Sequence, residues 1–61
     1  MSPSFEEVMK ALIYRLVAIK DRDDFDLERE IKEIQIATHR YFQQHYDRDV
    51  IKLMFEIACG E

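Results

Sequence analysis

The stretch from Asp47 to Gly60, DRDVIKLMFEIACG, decides between two folds for this chain. Asp47, Arg48 and Asp49 offer cap residues for a new helix, but none of them stops a helix already running. A break near Asp47 gives three helices; without it the chain is a long two-helix hairpin. We read the break. At about 100° per residue, Val50, Ile51, Leu53, Met54, Phe55, Ile57 and Ala58 cover an arc of about 200°. Asp49, Lys52, Glu56 and Cys59 are left for water, and Gly60 stands where a left-handed C-terminal cap belongs. The third helix therefore spans about 48–59, and so broad an apolar face asks to be buried on more than one side.

Upstream, the apolar residues Leu27, Ile31, Ile34, Ala37, Tyr41 and Phe42 share one face of a second helix expected over about 26–46. Glu28 with Lys32 and Arg29 with Glu33 add i,i+4 pairs in the favourable order. Further back, Asp21-Arg22-Asp23-Asp24 interrupts the period with residues that prefer turns and caps, and Asp24 or Asp26 can cap the second helix. So short a connection implies antiparallel neighbours. The first helix covers about 4–20. Ser4 and Glu7 make a capping box, and Phe5, Val8, Met9, Leu12, Ile13, Leu16 and Ile19 fall within an arc of about 140°.

At 1.5 Å per residue these helices measure about 25, 31 and 18 Å, so the second overhangs the third. The expected architecture is an all-α, up-down-up three-helix bundle in a single domain, residues 1–61. Its third helix packs across the others or swaps into a second copy, and homodimerisation completes the core.

Composition agrees with this reading. Of 61 residues 48% are hydrophobic and 36% charged, and the single Pro3 and single Gly60 lie near the ends, so nothing inside the chain forces a hairpin turn. A chain this short buries a small share of its surface and usually needs disulfides, a metal or self-association. Cys59 is the only cysteine and His39 and His45 the only histidines, so self-association is the route left open. An unpaired cysteine and the lack of a long apolar stretch or leader-like segment point to a cytoplasmic protein without membrane insertion.

The net charge of −4 is local: residues 21–30 sum to −4, residues 1–20 to +1 and residues 31–61 to −1. An EF-hand loop opening at Asp21 needs glycine and glutamate where Asp26 and Lys32 stand, so the acidic run reads as caps that complement the positive end of the second helix. On a continuous helix His39 and His45 lie about 120° apart and do not share an ion. His39 falls on the polar side, whereas His45 joins the face of Leu27, Ile34 and Tyr41 as a partly buried structural residue. Thr38 can return its hydroxyl to the Ile34 carbonyl. Cys59 sits at a helix C-terminus, where the dipole does not favour a thiolate, and reads as structural.

Catalysis has no foothold. The only serines are Ser2 and Ser4, no phosphate-cradling glycine loop is possible, and no nucleophile has a base and an orienter. The basic residues form no stripe, and a glycine turn before a basic recognition helix is missing, which argues against nucleic acid. No set of ligands with structural-metal spacing exists, so a chelator is expected to leave the fold intact. The expected role is thus a homo-oligomerising protein-protein interaction module, an adaptor or regulator without cofactor. Ile36, Met54, Phe55 and Ile57 are its candidate contacts, and Phe25 could lie near Ile36. The rival is a small ligand- or metal-binding protein centred on His45 and Tyr41, with a nucleic-acid-associated regulator third.

Overall fold

The computed structural model describes residues 1–61 as three helices, α1 (Phe5–Ile19), α2 (Leu27–Phe42) and α3 (Arg48–Cys59), with no strand. Helix α1 starts as its capping box requires. The Glu7 amide donates to Ser4 Oγ at 3.1 Å and the Ser4 amide to Glu7 Oε1 at 3.2 Å, so two orphaned donors are satisfied reciprocally. Phe5, Met9, Ile13 and Leu16 are the buried row of this helix. Each such side chain contributes about 1.5–3 kcal/mol over leaving it in water. Ile31 and Ile34 of α2 and Ile51 of α3 complete the buried core.

Between α1 and α2 the acidic run acts as caps and turns. The Arg29 amide donates to Asp26 Oδ1 at 3.3 Å, making Asp26 the N-cap of α2, and Arg29 Nη2 reaches the Asp24 carbonyl at 2.9 Å. Phe5 at the start of α1 meets Phe42 at the end of α2, and Arg15 meets Glu30, so the two helices run antiparallel.

Helix α2 ends four residues earlier than its apolar period suggested. Gln43 takes a left-handed conformation (φ 55°, ψ 30°), and its amide closes the helix on the His39 carbonyl at 2.8 Å. The reason lies at Tyr46. Continued helix would carry this residue roughly 100° around from the buried row. Leaving the helix instead delivers its ring edge-on to Phe5, at 5.1 Å between centroids, and its carbonyl to Gln35 Nε2 at 3.0 Å. The chain is therefore a three-helix bundle and not a two-helix hairpin.

Because α2 stops at Phe42, the helices measure about 22, 24 and 18 Å, and the expected overhang of α2 shrinks to about one turn. Helix α3 lies across the α1/α2 pair. Arg48 at its start pairs with Glu28 of α2, while Ala58 and Glu61 at its end lie against Glu6, Met9 and Lys10 of α1. Gly60 is not the left-handed cap expected of it: at φ −85° it continues the helical turn, its amide bonding to the Ile57 and Glu56 carbonyls at 3.1 and 3.3 Å. Those bonds satisfy the terminal acceptors without a change of hand, and the one left-handed residue of the chain is Gln43.

Candidate functional site

Helix α3 divides its apolar residues between two sides. Ile51 is fully buried, and Met54, Phe55 and Ala58 are half-buried against the core. Val50, Leu53 and Ile57 sit about a turn apart on the outer side and remain 43%, 57% and 60% exposed. Next to this row runs a groove of about 340 Å³ between α1 and α3, floored by Met9, Ile13, Met54 and Ala58 and flanked by Tyr14, Tyr46 and Ile57. Glu6, Lys10 and Glu61 stand on its rim, with the Lys10 ammonium 6.0 Å from the centre of the Tyr14 ring. The result is an apolar ridge and an apolar trough side by side, edged by charges of both signs.

The four expected contact residues do not form one surface. Met54 and Ile57 line the groove. Phe55 turns inward and stacks on Phe25, with centroids 6.0 Å apart and planes 25° apart, so Phe25 belongs to the core edge beneath α3. Ile36 is half-exposed on the outer side of α2, in a separate hollow with Gln35, His39, Arg40 and His45. Leu53, Val50 and Tyr14 carry the ridge and groove wall in their place. Placed on a helical wheel relative to Ile51, the residue the core holds most tightly, Leu53 points about 160° away.

His45 is not a partly buried residue on the face of α2. It lies exposed in the connection after Gln43, and His39 comes to meet it from the last turn of α2. Their Nδ1 atoms are 3.4 Å apart, with the rings edge to face at 5.3 Å. The 120° separation held only for an unbroken helix; the left-handed turn at Gln43 folds one histidine back onto the other. Tyr41, expected beside His45, is 80% exposed.

Polar groups inside the bundle are accounted for. The buried Thr38 hydroxyl donates to the Ile34 carbonyl at 2.8 Å, as its position on α2 suggested. Glu30, grouped with the capping acids on sequence alone, is instead buried, receiving Arg15 Nη1 at 3.2 Å and lying 3.8 Å from Arg29 Nη2. The Arg48 guanidinium is held above the ordinary arginine value by its hydrogen bond to Glu28, then by the charges of Glu28 and Asp49. Cys59 is exposed. No group of three or more His, Cys, Asp or Glu side chains converges to hold a metal, and no helix is long and apolar enough to cross a membrane. No family model, curated protein or solved structure matches the chain.

Proposed function

We propose that this chain is a small homo-oligomerising interaction module, an adaptor or regulator without catalytic activity, whose docking face is the outer side of α3 and the groove beside it. The observation that carries the reading is the exposed row Val50, Leu53 and Ile57 on a helix whose opposite edge is already in the core. Soluble monomers seldom leave a contiguous apolar patch of this kind in water. A ridge beside a trough is self-complementary. A two-fold axis sets the ridge of one copy into the trough of the other, and the same residues serve both subunits. The rim fits this arrangement, since Lys10 of one copy can face Glu6 or Glu61 of the other.

Self-association also supplies stability that a core of seven buried apolar side chains leaves scarce. Sedimentation equilibrium at tens of micromolar tests the proposal. A two-fold mass is expected for the wild-type chain and a folded monomer for Leu53→Asp with Ile57→Asp. A wild-type monomer across that range would sink it.

A further inference from the structure

We infer that His39 and His45 form a two-imidazole site for a tetrahedral divalent ion of the zinc type, with water completing the coordination. Two nitrogens bound to one zinc at 2.0–2.1 Å in tetrahedral geometry stand about 3.3–3.4 Å apart. The two Nδ1 atoms are 3.4 Å apart. That spacing is long for a hydrogen bond between ring nitrogens, and a square-planar ion would draw the pair to about 2.9 Å.

The backbone that carries the pair is tied down before any ion arrives. His39 lies in the last turn of α2, and its own carbonyl accepts the Gln43 amide at 2.8 Å. On the other flank, the Tyr46 carbonyl accepts from Gln35 Nε2 at 3.0 Å and the Tyr46 ring packs on Phe5. The backbone on either side of His45 is thereby anchored, so binding an ion need order only the two rings and not the connection that carries them. Both imidazoles are exposed, so the ion needs no opening of the fold to enter.

The surroundings of the pair set the strength and role of the site. No third His, Cys, Asp or Glu converges there, and the Arg40 cation shares the hollow. Two ligands beside a like charge give an exchangeable ion, weakly held beside closed structural sites. Removing the ion leaves the three helices intact, because none of the core contacts passes through these rings. This site is independent of self-association through α3.

Zinc chloride titrated into a Cys59→Ser background, which removes the exposed thiol as a competing ligand, tests the inference. Calorimetry is expected to find one ion per chain, and the nitrogen resonances of both histidine rings should move together in the same titration. His39→Gln and His45→Gln, both at exposed positions, should each weaken binding tenfold or more with an unchanged helical circular dichroism spectrum. Binding that persists in the double variant, or that moves the resonances of only one ring, would overturn the site whether or not the variants fold as well as the parent.

Discussion

Helices α1 and α3 are both amphipathic by sequence, yet the fold treats them differently. Of the α1 face, Phe5, Met9, Ile13 and Leu16 are buried; of the broader α3 face, Ile51 alone is fully buried and Val50, Leu53 and Ile57 stay in water. An arc of about 140° can be covered by two neighbours, whereas an arc of about 200° on the last helix of a three-helix bundle exceeds what they reach. Helix α3 therefore carries more apolar width than its own chain covers.

The sharpest way to break this contrast is truncation. Leu16→Ala or Ile51→Ala is expected to cost about 2–5 kcal/mol, enough to unfold a large fraction of so small a protein. Leu53→Ala, on the outer side of α3, should change the stability of a dilute monomer by about 0.5 kcal/mol or less. Urea unfolding at low protein concentration compares them, and equal losses at the two positions would erase the distinction between the helices.

A smaller effect separates dimer from monomer. The melting temperature of the wild-type chain should rise with concentration, the dimer adding about 2.7 kcal/mol at one hundred times its dissociation constant. Leu53→Asp with Ile57→Asp should abolish that dependence while keeping the helical spectrum. Phe55→Asp does not separate the two effects, because Phe55 stacks on Phe25 within one chain.

The electrostatic counterpart is Glu30, whose burial depends on Arg15 reaching over from α1. Arg15→Met leaves the carboxylate with only the more distant Arg29 and should cost roughly 1–2 kcal/mol in thermal or urea unfolding, discounted because Arg15 itself is half-exposed. Arg22→Met, which removes an ion pair with the exposed Asp24, should be close to silent in the same assay.

Gln43→Gly should raise stability by up to about 1 kcal/mol, since glycine enters the left-handed region without the Cβ penalty that Gln43 bears. Gln43→Pro should lower it, as the amide is bonded and φ is positive. The smallest effect belongs to Arg48. Its ionisation is raised in the fold, so the stabilisation it brings is fully present at lower pH and is lost only as pH climbs, in strong alkali, through the raised value. Arg48→Met should therefore lower the melting temperature slightly and equally at pH 6 and pH 9, and less in high salt.

Most of the fold could be read from residue spacing because caps and period reinforce one another. Ser4 with Glu7, Asp26, and the rows Phe5 to Leu16 and Ile31 to Ile34 are local signals, and each lies where the structure uses it. The end of α2 was not legible for the same reason. Gln43, Gln44 and His45 are all acceptable in a helix, and what stops it is a contact between Tyr46 and Phe5, far apart in the chain. The site inherits that blind spot. Met54 and Ile57 follow from the wheel of α3 alone, but the inward turn of Phe55, the separation of Ile36 and the meeting of His39 with His45 depend on how the connection after α2 runs.

The aromatic cluster of Phe5, Phe42 and Tyr46 also bears on how quickly the bundle forms and comes apart. It joins residues about forty positions apart, while most other contacts in a helical chain are local. Closing so long a loop costs more chain entropy than any contact within one helix, so Tyr46→Ala is expected to speed unfolding more than it slows folding, which the two limbs of a chevron plot check. An interaction formed after the transition state sets the rate of escape from the native state and leaves the rate of arrival nearly untouched. On that expectation the lifetime of the folded chain is set at the open end of the α1/α2 pair, where the Tyr46 ring ties the connection into α3 to Phe5.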